Sequence, residues 1–281
     1  MDFQTKVKEI FATLSTGQKK VAKYLLDHPH EFAIHSAQEI GEVVGVSETT
    51  IIRFCYSLQL KGFSELQKIV RNQIFVEKSS LNEYYSSKKQ VMNEPNFLES
   101  VMKQDMTNIK KTIENLSKED FLHVVKRLSE ADYILISGLR SSFAAAHWLG
   151  FTLSIVRDDI HVYRPDIDDV FLQLNKMSEN SIFIALSFHR YMKETIKLTK
   201  MAKEAGAFVI GITDSELAPI ADFSDVLLPI SKSRVSTIDT APVLFSLLNA
   251  LVAGVSLYDE KAFKERKAKY DSFNEDEFFY K

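Results

Sequence analysis

The sequence is poor in cysteine: Cys55 is the only one among its 281 residues. A single thiol excludes an intramolecular disulfide, and it excludes a zinc site built from several thiolates. Cys55 stands in an apolar stretch, so we expect a small buried hydrophobic residue at this position. The chain is therefore predicted to work in a reducing compartment, the cytoplasm.

Long apolar runs are also lacking. We find no stretch of transmembrane length, and the first residues, MDFQTKVKEIF, contain no signal-peptide core. No membrane partner is expected. The composition is otherwise that of an ordinary globular protein, with 45% hydrophobic and 26% charged residues, and the length favours two domains over one.

An excess of positive charge is missing as well. The net charge is −3, and residues 1–75 carry nine Lys and Arg against eight Asp and Glu. A domain that binds nucleic acid usually shows a basic face, so this balance gives DNA binding no support. If residues 1–75 do bind DNA, the phosphate contacts of one subunit are few, and two subunits have to bind one site together.

The most informative stretch that is present is QEIGEVVGVSETTIIRF, residues 38–54. Ser36 and Glu39 predict a capping box at the start of a helix, and Gly45 predicts a left-handed turn at its end. Ser47 then caps a second helix. The buried face of the first helix is predicted to hold Ile40, Val43 and Val44. Two short helices joined by a tight turn form a helix-turn-helix, whose second helix can enter a DNA major groove.

The alternative is an ordinary pair of helices in a bundle that contacts no DNA. We favour the DNA-binding interpretation because the second helix starts with short polar residues and has an arginine one turn later, as a recognition helix does. The residues predicted to contact DNA are Ser47, Thr49, Thr50 and Arg53, with Lys61 and Lys68 as candidates for phosphate contacts.

Helix signals flank this stretch on both sides. Ser15 and Gln18 predict a capping box for a preceding helix that ends near His28, and Ser64 and Gln67 predict another capping box for a following helix. Residues 79–96 then turn polar and lose periodicity, whereas a helical pattern runs from Leu98 to Leu116 and suits either simple packing or a dimer contact. We expect three segments: a helix-turn-helix domain at 1–78, a linker at 79–106 and a second domain at 107–281.

Short β-branched runs alternate with helical patterns after Asp132. The predicted strands are residues 133–137, 161–165, 181–188, 207–214 and 225–231, and a long apolar helix follows from about residue 239 to residue 257. Continuous apolar strands that alternate with helices are typical of a parallel sheet buried on both faces. The fold class is therefore an all-α amino-terminal domain followed by an α/β domain with a doubly wound, five-stranded parallel sheet.

Two predicted strands end in loops rich in hydrogen-bonding groups. The first loop holds Gly138, Arg140, Ser141 and Ser142, and the second holds Ser187, His189 and Arg190. Each loop runs directly into a helix, whose first N–H groups favour an anion. The serines could equally be helix caps and nothing more. Two such loops with arginine in one domain favour a phosphorylated small molecule, and the absence of a GxGxxG motif and a P-loop argues against a dinucleotide or nucleoside triphosphate.

The chain resembles a known family over nearly its whole length. TGQKKVAKYLLDHP and SAQEIGEVVGVSETTIIRFCYSLQLKGFSEL are similar to the helix-turn-helix of RpiR-family bacterial transcription regulators. YILISGLRSS, IALSFHRYMKETI and VIGITDSELAPIADFSDVLLPI are similar to the sugar isomerase (SIS) domain of those regulators. The resemblance implies a flavodoxin-like second domain that senses a phosphosugar and adjusts the binding of operator DNA by the first domain, with no cofactor and no catalysis.

The resemblance also assigns site residues. It implies a phosphosugar site at Gly138, Arg140, Ser141 and Ser142, with Asp239 and Thr240 at the start of the last helix. The usual SIS pattern Ser-x-Ser-Gly-x-Thr falls on residues 187–192, where Ser187 alone matches and His189, Arg190 and Met192 depart from it. The two arginines could replace the usual hydroxyl groups, but a different acidic ligand or a degenerate pocket would give the same sequence.

Three functions are compatible with the sequence. The leading one is a cytoplasmic regulator that binds operator DNA as a homodimer or homotetramer under the control of a phosphosugar. The second is a phosphosugar isomerase with His189 or Glu194 as general base, although a fused helix-turn-helix has no catalytic use. The third is a regulator whose second domain is a dimerisation scaffold without an effector.

Overall fold

In the computed structural model, the described residues up to Glu130 form helices and the turns that join them, and strands alternate with helices from residue 133 onward. The structure describes residues 3–76, 80–92, 96–232, 236 and 238–272. Contacts divide the chain into two units, residues 1–79 and residues 80–281. Each unit has a core of its own and is described by itself below.

Six α-helices occur in the described part of the first unit, and a single 3-10 turn, Phe11–Thr13, follows the first of them. They are α1 (Phe3–Ile10), α2 (Thr16–Asp27), α3 (Pro29–Ile34), α4 (Ala37–Val44), α5 (Glu48–Ser57) and α6 (Phe63–Val76). The capping box of Ser15 with Gln18 forms at the start of α2, as predicted. Helix α3 was not predicted; it begins directly after His28 with Pro29 in its first turn, where the missing N–H and fixed φ of proline suit a helix.

The core of this unit is apolar and fully buried. Its largest members are Leu25, Phe32, Ile40, Ile51, Phe54, Leu58 and Leu66. The prediction that Val43 shares the buried face of α4 is wrong, because Val43 is 66% exposed. At 100° per residue, Ala37, Gly41 and Val44 lie to one side of Ile40, whereas Val43 lies to the other.

The start of α6 also differs from the prediction. Instead of Ser64 and Gln67, the carboxylate of Glu65 caps this end and accepts a hydrogen bond from the Lys61 amide at 2.6 Å. The Gln67 side-chain amide instead donates to the carbonyls of Phe32 and His35, at 3.2 and 3.1 Å. Gln67 therefore fixes α6 to the carboxyl end of α3, a long-range contact that a local sequence pattern does not reveal.

The second unit opens with three helices before its sheet. These are α7 (Ser80–Val91), α8 (Phe97–Asn115) and α9 (Lys118–Glu130). The segment expected to be a linker, 79–106, is thus helical over α7 and the first half of α8, and the contact division places it in the second unit. Asn96 caps α8 by accepting a hydrogen bond from the Glu99 amide, and Ser117 caps α9 in the same way.

The sheet has five parallel strands in the order β2-β1-β3-β4-β5. The strands are β1 (Tyr133–Gly138), β2 (Ile160–Val162), β3 (Ser181–Ser187), β4 (Phe208–Thr213) and β5 (Val226–Pro229). The helices that follow are α10 (Phe143–Val156), α11 (Val170–Leu174), α12 (Lys193–Glu204), α13 (Ala241–Tyr258) and α14 (Glu260–Asp271). This is the flavodoxin-like order. Separate apolar clusters cover the two faces of the sheet, so the predicted doubly wound α/β fold is confirmed.

Helix α13 contributes more side chains than any other helix to the apolar cluster on one face of the sheet. Among the described residues it is the one helix long and apolar enough to cross a membrane by length and composition, although the sequence was expected to contain no such stretch. The core helix of a globular domain meets the same criterion. Six α13 side chains belong to the cluster on that face of the sheet: Val243, Leu244, Leu247, Leu248, Leu251 and Val255.

The two units carry separate natural probes of folding. Burial raises the pKa of the Cys55 thiol to about 12. At pH 8 only about one Cys55 in ten thousand should therefore be the reactive thiolate while the first unit is folded. We expect a thiol reagent such as Ellman's reagent to label Cys55 only when this unit unfolds, whereas fluorescence of Trp148 reports unfolding of the second unit.

Labelling rates and fluorescence measured side by side across a urea series check this. Protein in high denaturant is the control and should react at the rate of a free thiol. Rapid labelling of the native protein would show that α5 is not packed as described.

Candidate functional site

The turn between α4 and α5 is built from specific local contacts. Ser36 and Glu39 form the predicted capping box, and Gly45 adopts the left-handed conformation with φ 71°. Gly41 allows a close approach: a Cβ atom there would lie 2.8 Å from the carbonyl oxygen of Val46. These contacts fix the direction in which α5 leaves the turn, so the surface that α5 presents is set by the sequence of the turn.

At the start of α5, the hydroxyl groups of one serine and one threonine lie within hydrogen-bond distance of each other. The Ser47 Oγ accepts a hydrogen bond from the Thr50 amide at 3.3 Å and lies 3.0 Å from the Thr50 hydroxyl. The Thr50 methyl group faces Gly17 of α2, where an added Cβ would approach it to 3.1 Å. Ser47 and Thr50 therefore hold the start of α5 in place, and Ser47 is exposed as well.

Three exposed side chains form an outer stripe on α5. Thr49, Arg53 and Tyr56 are spaced by four and three residues, so they lie on one side of the helix. Tyr56 is 58% exposed and was not predicted, although its spacing from Arg53 could have revealed it. Lys61 and Lys68 are exposed as well. The stripe offers a hydroxyl, a guanidinium and a phenol, all of which can contact base edges or phosphates in a groove.

The second unit holds a cavity of about 440 Å³ at the carboxyl ends of β1 and β3. These strands are neighbours in space but not in sequence, which makes this end of the sheet its topological switch point. The cavity unites the two predicted loops. Its described lining residues are Leu81, Leu139, Arg140, Ser141, Ser142, Leu186, Ser187, Phe188, His189, Arg190, Met192, Thr195 and Ile238.

The first loop depends on Gly138, which ends β1. A Cβ atom on Gly138 would lie 2.7 Å from the carbonyl oxygen of Ser142, so any other residue would displace the turn that leads into α10. Arg140 has φ 55°, in the left-handed region, and the Ser142 amide donates to the Leu139 carbonyl at 3.1 Å. Ser142 occupies the N-cap position of α10, and its hydroxyl makes no capping hydrogen bond. Gly138 itself does not line the cavity; it lets Arg140, Ser141 and Ser142 do so.

The second loop follows β3 and is more buried. The Ser187 residue is 3% exposed, and its hydroxyl has no hydrogen-bond partner within the described part of the chain. His189 is buried too, and Arg190 is exposed with φ 68°. Helix α12 begins after Met192 without a side-chain cap. The loop thus aims a buried hydroxyl, a guanidinium and the amino end of a helix at the same cavity, an arrangement that favours an anion.

A buried carboxylate that the sequence analysis missed holds this loop. Asp214 directly follows β4, and its side chain is fully buried. Asp214 accepts hydrogen bonds from the His189 amide at 3.1 Å and the Tyr191 hydroxyl at 2.7 Å, and it pairs with the Lys232 ammonium group. Burial and the neighbouring Asp214 charge raise the pKa of Tyr191, so the phenol stays protonated and remains a donor. An acidic residue directly after a strand was a visible signal, but its inward direction was not.

Asp239 and Thr240, like Gly138, are predicted site residues that do not line the cavity. Asp239 pairs with Lys88 of α7 at 2.8 Å, and both side chains are largely buried. The Thr240 hydroxyl donates to the Ser236 carbonyl at 2.7 Å. The structure therefore uses both residues to secure the start of α13, and the nearby residue that reaches the cavity is Ile238.

Metal chemistry has no obvious ligands here. Within the described ranges, no group of three or more His, Cys, Asp or Glu side chains could hold a metal ion.

Comparisons with known proteins match both units. A model described as a helix-turn-helix domain of the rpiR family matches residues 1–75, and a SIS domain model matches residues 127–254. An uncharacterized HTH-type transcriptional regulator of Caldanaerobacter subterraneus is 26% identical over 256 residues, which cover 86% of this chain and 88% of that protein. The uncharacterized HTH-type transcriptional regulator YbbH of Bacillus subtilis is 27% identical over 253 residues, covering 86% and 84%.

A solved structure shows the same fold. The Vibrio vulnificus NanR protein complexed with ManNAc-6P matches with a TM-score of 0.62 at 14% identity, over 96% of this chain and 97% of that chain. The two family models occur here in the order expected from the sequence, each on the unit that has the corresponding architecture. The chain therefore belongs to the rpiR family of HTH-type transcriptional regulators, with an amino-terminal helix-turn-helix domain and a carboxyl-terminal SIS domain.

Proposed function

We propose that this regulator binds operator DNA through α5 and that a phosphosugar bound in the SIS-domain cavity modulates this binding. The observation that carries the proposal is the meeting of two cationic, helix-starting loops around one cavity at the switch point of the sheet. The NanR protein, which shares the fold, was solved with ManNAc-6P, and this supports the assignment of a sugar phosphate to the cavity.

Recognition of DNA rests on the outer stripe. Arg53 is the one cation of the stripe, and a guanidinium in a major groove pairs with the O6 and N7 atoms of guanine. Thr49 and Tyr56 flank it at distances that a helix lying in the groove spans. Ser47 and Thr50 support the helix start, and Lys61 and Lys68 contact phosphates. The near-neutral charge of the unit makes a homodimer or homotetramer on paired half-sites part of the proposal.

Ligand binding rests on Arg140 and the amino end of α10. The phosphate accepts hydrogen bonds from the Arg140 guanidinium and the Ser141 and Ser142 hydroxyls, and the positive amino end of α10 favours its charge. Modulation then requires that the ligand bind more tightly to one arrangement of the two domains than to the other, because a ligand with equal affinity for both shifts nothing. The regulator acts in the cytoplasm, where phosphosugars and operator DNA meet.

The position of Glu194 removes one of the two candidate bases for isomerisation from the cavity. An isomerase needs a general base beside the sugar carbon. Glu194 accepts a hydrogen bond from the Tyr163 hydroxyl at 3.1 Å and is not among the lining residues. His189 is the remaining candidate base among the described residues of the lining, and its backbone is bound to Asp214 within the second loop.

The DNA half of the proposal predicts a strong effect of Arg53. The native protein can first select its preferred duplex from a random pool. Arg53→Ala should then weaken binding to that duplex about tenfold or more, because a bidentate arginine–guanine contact contributes about 1–3 kcal/mol. Lys23→Ala is the matched control: it removes an exposed cation from α2 in the same unit, and its effect should be small. Gel-shift titrations at fixed salt measure both. Equal affinities of native protein and Arg53→Ala would remove α5 from the DNA contact.

The ligand half predicts stabilisation by sugar phosphates. At a hundred times its Kd, an effector should stabilise the folded protein by about 2.7 kcal/mol and raise its Tm accordingly. Arg140→Gln should reduce the affinity about tenfold, whereas Arg164→Gln should not change it, since Arg164 pairs with Asp168 and does not line the cavity. A thermal-shift series with hexose and hexosamine phosphates, followed by calorimetry, measures this.

Two results would contradict this half of the proposal. No response to any sugar phosphate would favour a domain that serves only as a dimerisation scaffold. Conversion of an aldose phosphate to a ketose phosphate by the purified protein would instead show an isomerase.

A further inference from the structure

The lining of the cavity is cationic and lacks acids. Its charged side chains are Arg140 and Arg190, and no Asp, Glu, Asn or Gln occurs among the described lining residues. Neither guanidinium has an ion-pair or hydrogen-bond partner among the residues that the structure describes. A neutral sugar binds best where carboxylate or amide oxygens accept hydrogen bonds from its hydroxyl groups. This lining offers hydrogen-bond donors and positive charge instead. It holds more of both than one phosphate group requires.

The two arginines belong to different loops. Arg140 precedes α10 at the end of β1, and Arg190 precedes α12 at the end of β3. Each therefore stands beside its own uncapped helix start, and both helices are longer than ten residues. A helix amino end together with a guanidinium makes a complete site for one anionic group. The cavity has two such arrangements.

Arg190 is fixed in position by its neighbours. The His189 amide before it and the Tyr191 hydroxyl after it both donate to Asp214. The Asp214 carboxylate is buried and paired with Lys232, so its charge is neutralised locally and does not repel an anion in the cavity. The backbone at Arg190 is thus held on both sides, so the exposed side chain starts from a fixed position beside the cavity.

A buried hydroxyl points to a ligand between the loops. Ser187 lines the cavity, is 3% exposed and has an Oγ atom without a partner in the described chain. Thr195, in the first turn of α12, lines the cavity as well. A buried polar atom is nearly always satisfied in a native protein, so a bound group is expected to supply the partner of the Ser187 hydroxyl.

We propose that the effector carries two acidic groups, a phosphate at Arg140 and a carboxylate at Arg190, and is thus a phosphorylated sugar acid. Arg190 is then the residue that distinguishes the acid from the corresponding neutral sugar phosphate, while Arg140 holds the phosphate common to both. This inference rests on the proposed function, because it names the class of ligand for the same cavity. A cavity of about 440 Å³ has room for a sugar acid of five or six carbons with its phosphate.

Matched pairs of ligands test the inference. Calorimetric titrations of the full-length protein compare D-gluconate 6-phosphate with D-glucose 6-phosphate, D-mannonate 6-phosphate with D-mannose 6-phosphate, and D-ribonate 5-phosphate with D-ribose 5-phosphate. Members of a pair share their carbon skeleton and phosphate and differ at C1, where the acid carries a carboxylate on an open chain and the neutral sugar closes mainly to a ring. D-glucitol 6-phosphate, which is open-chain and has no carboxylate, is therefore titrated as a further neutral control. The best-bound acid should bind about tenfold or more tightly than its neutral partner, since a charge-assisted bidentate pair contributes that much.

Variants separate the two arginines. Arg190→Gln should abolish the preference for the acid by weakening the acid much more than the neutral sugar phosphate, whereas Arg140→Gln should weaken both members of a pair alike. Tyr191→Phe removes one of the contacts with Asp214 and should reduce the preference for the acid without affecting the neutral partner. Arg164→Gln is the control for loss of an arginine elsewhere in the domain, and circular dichroism of each variant verifies its fold.

The outcomes distinguish this inference from the proposed function. Equal or tighter binding of the neutral sugar phosphates would overturn the inference and leave the proposed function intact. A preference for the acid that survives Arg190→Gln would also overturn it. Failure of every acid and every neutral sugar phosphate to bind would overturn both, and would show that the two arginines serve another ligand.

Discussion

The parallel pairing of β1 with β3 is the constraint on which the cavity of the SIS domain depends. Six residues of each strand lie in register, from Tyr133 opposite Ser181 to Gly138 opposite Leu186. Because the strands end together, the loops that follow them must leave the sheet side by side and on the same edge. One residue more or fewer in β3 would move Ser187 and Arg190 away from Arg140. The cavity is therefore a consequence of strand register, and Gly138 allows the first turn to fold close beneath it.

A buried charge determines the conformation of the loop after β3, as strand register determines where the two loops lie. The Asp214 carboxylate would be costly in the core if it were alone, and removing a partner from a buried pair costs more than the pair contributes. Lys232, Tyr191 and the His189 amide together satisfy this carboxylate. The contacts that stabilise the buried Asp214 carboxylate thus also hold the loop around Arg190 in one conformation. A site that must recognise an anion gains by such preorganisation, because less order is lost when the ligand binds.

Much of the fold could be predicted because the signals are local. Capping boxes at Ser15 and Ser36 and the left-handed Gly45 each involve residues within a few positions of one another, and all three occur as predicted. Continuous β-branched strands likewise specify burial on both faces of a sheet. Helix α7 was missed since its sequence is polar; it is held by contacts such as Lys88 with Asp239 rather than by an apolar face of its own.

The site was predictable to the level of its loops and no further. The sequence shows that polar residues follow β1 and β3, and the topology brings them together. It does not show that Asp214 turns inward to Lys232, that Asp239 turns to Lys88, or that Gln67 reaches the carbonyls of Phe32 and His35. Each of these partners is 18 or more positions away in the chain, so the direction of the side chain is decided by tertiary packing.

Helix α7 shows how such packing bears on the proposed regulation of DNA binding. Leu81 of α7 lines the cavity, and α7 is the first described element after the helix-turn-helix unit in the chain. A ligand that contacts Leu81 differently in two arrangements of the chain has the differential affinity that modulation of DNA binding requires.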